Sequence, residues 1–259
     1  MKIPIYQIDA FTNVQFKGNP AAVCPLKEWI SNDFMQKIAA ENNLSETAFF
    51  VKVENDYELR WFTPKGEIDL CGHATLATAY VIFTYIDNSI TNIKFHTMSG
   101  ILEVSREGNL ISMIFPSREG EKCEAPEALV KGLGKMPIEV YKSRDYMAVF
   151  ENEQDILNLE LNMDELKKLD VLGVIATAKG NEVDFVSRFF APNAGVDEDP
   201  VTGSAHCTLV PYWKKKLNKN EFVALQLSER GGKLYCSDLG ENVKMSGEAA
   251  AYLEGFINV

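Results

Sequence analysis

The sequence is poor in the residues from which metal and redox sites are usually built. It has three histidines, His73, His96 and His206, and none of them forms an HExxH pair. Its five cysteines (Cys24, Cys71, Cys123, Cys207 and Cys236) are odd in number, widely spaced and without a CxxC pair. A zinc ribbon and a redox dithiol therefore lack their signatures, and reduced thiols fit best. No GxGxxG stands at a strand–helix junction and there is no GxxxxGK[ST]; Gly132-Leu133-Gly134 is too short a match to count. Neither a metal nor a nucleotide cofactor is expected. No apolar run reaches the ~18–20 residues of a membrane helix. The longest, Ala74 to Ile86, is interrupted by three threonines and two tyrosines. The start, Met1-Lys2-Ile3-Pro4-Ile5, has neither the apolar core nor the cleavage site of a signal peptide. A cytoplasmic enzyme is the expectation. Positive charge is also scarce: 26 Lys and Arg stand against 37 Asp and Glu, a net charge of −11. Such a surface repels polyanions. The one basic run, Lys214-Lys215-Lys216, reads as a solvated helix end. Neither nucleic acid nor an anionic membrane is an expected partner, whereas a small anion in a locally positive pocket remains open.

What is present suits two domains. The chain has 259 residues, enough for two units of about 130, and its 46% apolar content can fill sizeable cores. Residues 3–10 read as a strand. Ser31 or Asn32 can cap a helix with Phe34, Met35, Ile38 and Ala39 on one face, ended by Asn42-Asn43. Strands are predicted over Thr47–Val53 and Glu58–Thr63, where Leu59 and Trp61 alternate with charged neighbours. Gly72 opens a helix, His73 to Tyr85, that is apolar nearly all round and must be buried inside something. Residues 93–116 give three short strands. Helices are expected over Ala125–Leu133 and Met163–Leu169, and strands over Pro137–Lys142, Tyr146–Phe150, Val171–Ala178 and Val183–Phe190. A second apolar helix starts near Gly203.

One internal repeat is visible. Arg60-Trp61-Phe62-Thr63-Pro64 reappears 128 residues later as Arg188-Phe189-Phe190-Ala191-Pro192. Each copy continues through an acidic loop to Gly, a polar residue, Ala and an apolar helix: Cys71-Gly72-His73-Ala74 and Thr202-Gly203-Ser204-Ala205. A period this long is a domain duplication rather than a solenoid. Two halves so related would set two equivalent loops face to face across a cleft, and such clefts are common ligand sites.

The paired helix starts are the strongest chemical feature. A helix N-terminus offers unpaired N–H groups and a partial positive charge, and Gly lets a ligand come close to the backbone. Gly72 with His73, and Gly203 with Ser204, could hold a carboxylate without an arginine. They could equally serve only tight turns. Asp199 could cap the second helix, or orient a neighbour and shuttle a proton. His73 can be a hydrogen-bonded structural residue or, in a cleft, a donor to a substrate oxygen. Glu46 is a single carboxylate at the head of an apolar strand; it is either an exposed strand start or a desolvated base. Counted by the repeat, its counterpart is Val174, so one half would carry a candidate base and the other none.

These segments together resemble the PhzF family of phenazine-biosynthesis-like proteins, related in fold to diaminopimelate epimerase. The resemblance runs over essentially the whole chain. It is carried by Asp9-Ala10-Phe11-Thr12, Gly18-Asn19-Pro20-Ala21-Ala22-Val23, Asn43-Leu44-Ser45-Glu46-Thr47-Ala48-Phe49, Arg60–Pro64, Cys71–Thr75, Asp199–Ala205 and Ser246-Gly247-Glu248-Ala249. It implies an α/β protein of two pseudo-equivalent domains, residues 1–117 and 118–249, each a curved mixed sheet wrapped around a central helix. A C-terminal segment, residues 250–259, would return to the first domain. It implies a cofactor-independent isomerase acting on a small carboxylic acid; in the phenazine enzyme that acid is a dihydro-hydroxyanthranilic acid. The family's catalytic residues fall on Glu46, His73, Asp199 and Ser204, with the substrate at Gly72, His73, Gly203 and Ser204. With the acidic surface, family habit suggests a homodimer. The epimerase relatives use two cysteines: Cys71 stands where one would lie, and the other place is assigned to Gly203, which has no side chain. Cys207 keeps an amino-acid racemase or epimerase open as an alternative, and a catalytically silent metabolite-binding protein is another.

Overall fold

The computed structural model describes residues 1–258. The chain divides into two compact units, one formed by Met1–Ile114 with the segment from Ser246 onward, the other by Phe115–Met245. No helix among the described residues is long and apolar enough to cross a membrane.

In the first unit, β1 (Lys2–Ala10) lies between β17 (Ala249–Asn258) and β2 (Asn19–Leu26), antiparallel to both. Then β3 (Glu46–Val53) runs parallel to β2, and β4 (Asp56–Phe62) antiparallel to β3. A two-residue strand, β5 (Glu67–Ile68), folds back on β4. Next, β6 (Asn92–Thr97) runs parallel to β4, β7 (Gly100–Glu107) antiparallel to β6, and β8 (Leu110–Pro116) antiparallel to β7. The second unit repeats the senses. Its strands are β9 (Glu121–Cys123), β10 (Glu139–Lys142), β11 (Tyr146–Val149), β12 (Val174–Lys179), β13 (Phe185–Phe190), β14 (Glu221–Gln226), β15 (Gly232–Asp238) and β16 (Asn242–Gly247). From β9 to β15 the neighbours are antiparallel, antiparallel, parallel, antiparallel, parallel and antiparallel. The same series runs from β17 to β7, so β17 plays in the first unit the part that β9 plays in the second.

Each sheet encloses one helix. In the first unit α2 (Gly72–Val81) touches β1, β2, β3 and β17, and all its side chains but Tyr80 are buried. Thr75 and Thr78 are tolerated there because their hydroxyls donate to the carbonyls of Cys71 (2.5 Å) and Ala74 (2.7 Å) one turn back. The helix ends in a π turn over Ile82–Ile86. In the second unit α6 (Gly203–Leu217) is buried from Gly203 to Trp213 apart from Ser204. Its indole Trp213 stacks on Phe185 at 5.6 Å and donates to Thr177. Pro211 inside α6 has no N–H, which frees the carbonyl of Cys207 one turn earlier. That carbonyl accepts the Arg118 N–H at 2.9 Å instead.

The remaining helices lie outside these centres. In the first unit α1 (Asn32–Asn42) starts on Ser31, whose hydroxyl accepts the Phe34 N–H, and stops at Asn43 in the left-handed conformation. The second unit carries α3 (Glu127–Leu133), α4 (Glu153–Leu157) and α5 (Met163–Leu166). The third and fifth are shorter than expected from the sequence. Pro126 takes the N-cap place of α3, and the stretch after Leu166 turns off at Lys167. Strand β12 starts at Val174 rather than Val171, and β13 at Phe185 rather than Val183.

The duplication is plain in one matched detail. Arg60 forks onto Glu67, Nε to Oε1 at 2.6 Å and Nη2 to Oε2 at 2.7 Å. Arg188 forks onto Glu198 in the same atom pattern, both contacts 2.8 Å. Each guanidinium also lies over a phenylalanine of its own strand, Phe62 at 5.3 Å and Phe190 at 5.0 Å.

The ladders correct the counterpart of Glu46. Thr47 pairs with Phe62, and Val174 pairs with Phe190, so Val174 matches Thr47 and Glu46 matches Gly173. A Cβ on Gly173 would lie 2.3 Å from Cζ of Phe189. Gly173→Ala is expected to destabilise the protein by about 1–3 kcal/mol through overpacking. Gly66, with nothing within 4 Å of its Cβ place, is the control, and Gly66→Ala should stay within about 0.5 kcal/mol. Denaturant unfolding of both variants checks this, and equal midpoints would remove the steric reading of Gly173.

Candidate active site

In the first unit three elements bring four side chains together. Glu46 is the first residue of β3, held beside Ala21 of the parallel strand β2. His73 is the second residue of α2, and Cys71 sits at its N-cap without a side-chain capping bond. Asn19 opens β2. The Glu46 carboxylate lies 3.0 Å from His73 Nε2, with 15% and 7% of the two side chains exposed. On the opposite edge of the ring, Nδ1 lies 3.2 Å from the Asn19 side-chain amide and 3.5 Å from Cys71 Sγ, and an imidazolium N–H there requires the amide to present its oxygen.

Burial by itself lowers the pKa of His73. The nearby Cys71 and Glu46 outweigh it, so the imidazole is raised well above its ordinary 6.5. Burial and the Glu46 charge push the Cys71 thiol up, so at neutral pH it stays a thiol. Glu46, Cys71 and His73 are also the set from which a metal ion could be held. The geometry fits one ion poorly, because Glu46 and Cys71 address opposite nitrogens of one ring. An ion on the Nε2 edge would leave the thiol facing Nδ1.

In the second unit the N-cap of α6 is Thr202, again without a side-chain capping bond to the helix. Thr202 is thus the counterpart of Cys71, and the place opposite that cysteine belongs to Thr202 rather than to Gly203. Asp199 bonds this N-cap residue: its Oδ2 accepts the Thr202 hydroxyl at 2.5 Å, and its N–H donates to Phe189 O. The buried amide of Gln226, from β14, holds this turn from behind. Ser204, which matches His73, accepts a 3.0 Å hydrogen bond from Arg144 Nη2. Arg144 is itself held by two donations to the fully buried Asp145, at 3.0 and 2.6 Å. A guanidinium only donates, so the Ser204 hydroxyl proton is directed elsewhere. Cys207 lies one turn into α6, and burial pushes its thiol up to about 11.

Each helix start therefore leaves its first N–H groups without a side-chain cap. The structure brings Glu46, Gly72 and His73 together in one unit, and Asp199, Gly203 and Ser204 around Thr202 in the other. Sequence reading missed Asn19 beside His73 in the first unit, and Arg144, Thr202 and Gln226 around Ser204 and Asp199 in the second. Asn19 and Thr202 stood inside conspicuous segments, whereas Arg144 and Gln226 carry no local motif.

Known proteins share this fold. An uncharacterized isomerase of Pseudomonas aeruginosa is 49% identical over 259 residues, covering 100% of both chains. An uncharacterized isomerase of Halalkalibacterium halodurans is 48% identical, covering 98% of this chain and 97% of its own. The crystal structure of a PhzF-family phenazine biosynthesis protein from Enterococcus faecalis superposes with a TM-score of 0.98 at 44% identity, covering 100% of both chains. A hydroxyproline epimerase from Agrobacterium vitis shares the fold alone, with a TM-score of 0.62 at 8% identity and coverage of 99% and 92%. Fold and relatives define an enzyme of the isomerase class. Residues 8–255 match the model of the phenazine biosynthesis-like proteins, and the chain belongs to this PhzC-PhzF family.

The two buried histidines should titrate on opposite sides of 6.5. His206 Nδ1 lies 2.9 Å from Thr202 O, an atom that can only accept, so Nδ1 carries the proton. Burial lowers this group to about 4. Its contribution to stability is present above 6.5 and is lost as pH falls toward 4, by on the order of 3 kcal/mol. The contribution of His73 has the other sign: it is full below 6.5 and lost as pH rises through its raised value. Proton NMR titration should show one ring well above 6.5 that drops in Glu46→Gln, and one near 4 that does not. A wild-type His73 midpoint at or below 6.5 would contradict the ion pair.

Proposed function

We propose that this protein is a cofactor-independent isomerase that moves a proton within a small carboxylic acid, with Glu46 as its base. The observation that carries the reading is the buried Glu46–His73 pair, 3.0 Å apart at the start of an uncapped helix. The substrate carboxylate is proposed to sit on the backbone N–H groups of Gly72 and His73. The matching donors at Gly203 and Ser204 are proposed as substrate-binding groups as well. Glu46 takes a proton from an acidic C–H, leaving a delocalised carbanion, and returns it to another carbon of the same molecule. No atom is gained or lost. His73, as an imidazolium, donates to the oxygen or nitrogen that gains negative charge, and Asp199 and Ser204 orient the substrate's polar substituents.

A two-thiol racemisation is less well supported. The counterpart of Cys71 is a threonine whose hydroxyl is donated to Asp199. Burial leads both nearby thiols, Cys71 and Cys207, to keep their protons.

Glu46→Gln keeps size and hydrogen bonding and removes the basic site. With a dihydro-hydroxyanthranilic acid as first probe, followed by a panel of small amino and hydroxy acids, solvent-deuterium incorporation is expected in the wild type. It should fall at least ~10²–10⁴-fold in the variant, while acid binding by thermal shift largely survives. Wild-type exchange rates in Glu46→Gln would refute Glu46 as the base.

A further inference from the structure

The turn that carries Asp199 is held by a hydrogen-bond chain whose directions are all fixed. The Thr202 N–H can only donate, and it is 2.8 Å from Gln226 Oε1. The carbonyl of Asp199 can only accept, and it is 2.7 Å from Gln226 Nε2. These two backbone partners settle which end of the amide is which. Nε2 also lies 3.2 Å from Thr202 Oγ1, and must donate to it. The hydroxyl's own proton then goes to the remaining neighbour, Asp199 Oδ2, at 2.5 Å. The Thr202 carbonyl takes the proton of His206 Nδ1. The N–H, carbonyl and hydroxyl of Thr202 are thus all engaged. Gln226 is 1% exposed and Thr202 6%, so little water competes for these bonds.

We propose that Gln226 is a positioning residue that acts through Thr202, forcing the threonine hydroxyl to donate to Asp199 and so keeping that carboxylate an acceptor toward the substrate. This rests on the reading of Asp199 as a residue of the reactive site. It narrows the ligand: the group that meets Asp199 should be a hydrogen-bond donor, an amino or hydroxyl substituent of the acid rather than a second carboxylate. The neighbouring acid Glu198 does not compete for these donors, since Arg188 forks onto both of its oxygens.

The test is made on the full-length protein without substrate. Carbon-13 NMR follows the Asp199 carboxyl through a pH titration, assigned by its loss in Asp199→Asn. Thr202→Val removes the donor at nearly constant volume, and should raise the Asp199 midpoint by roughly one to two units, the scale of a hydrogen bond to a charged group. Thr202→Ser restores the hydroxyl and should return the midpoint to the wild-type value. The Gln226 side-chain amide resonances of the wild type should shift with the same midpoint as Asp199, a readout that needs no substitution at Gln226. An unmoved midpoint in Thr202→Val, or a Gln226 amide blind to Asp199, overturns the proposal. Failure of the Glu46→Gln exchange experiment would instead strike the proposed function and leave these titrations standing.

Discussion

A helix that is apolar on every side has nowhere to go but the middle of something, and much of each unit's structure follows from that constraint. Most residues of α2 and α6 are buried, so a sheet must close over each of them. Closing the sheet of the first unit takes β17, which pairs with β1 and touches α2. Enclosure also decides where chemistry can be placed. Along the body of such a helix the backbone groups bond one another. At its start the first N–H groups cannot, and the partial charge of the aligned peptides is concentrated there. Cys71 and Thr202 stand at the two N-cap places, and neither side chain bonds the helix it precedes. An ordinary soluble helix would carry a Ser, Asp or Asn cap bond there, as α1 does with Ser31.

The duplication separates scaffold from chemistry. Strand senses agree from β17 to β7 and from β9 to β15, and the Arg60–Glu67 and Arg188–Glu198 forks agree atom for atom. The residues at the helix starts do not agree. His73 corresponds to Ser204, Cys71 to Thr202, and Glu46 to Gly173, where the packing of Phe189 leaves no room for a side chain. The partners that hold these residues have diverged too: Asn19 stands against His73, whereas Arg144, anchored on buried Asp145, stands against Ser204. Identical clamps beside unlike helix starts are what one expects when two copies keep a fold while their helix starts diverge.

Much of this was legible in the sequence, for identifiable reasons. The two central helices could be read because all-round apolarity is a strong pattern, and α1 because Ser31 and Asn43 bracket it. The duplication could be read because the Arg and Pro frame of its strand ends recurs. The counterpart of Glu46 could not be counted correctly. The offset between copies is 128 on β4 and β13 but 127 on β3 and β12, since the paired positions Thr47 and Phe62 stand 15 residues apart and Val174 and Phe190 stand 16 apart. Position arithmetic carried across a connection inherits that slip, and only the ladders reveal it. Gln226 was invisible for another reason: its partners lie 24 and 27 residues away, joined by a parallel sheet crossover that no local spacing encodes.

A carboxylate and a thiol share one imidazole. Glu46 and Cys71 stand at opposite nitrogens of His73, and the Glu46 charge raises the cost to Cys71 of losing its proton. The Glu46 charge is among the causes that hold Cys71 up. Burial acts in the same direction on the thiol, and the His73 ring beside it offsets this only in part. The imidazolium thus pairs with Glu46, and the thiol remains a small neutral neighbour that fills the N-cap place. The carboxylate and the imidazole lie 3.0 Å apart, and it is on this pair that the proposed proton transfer from carbon rests.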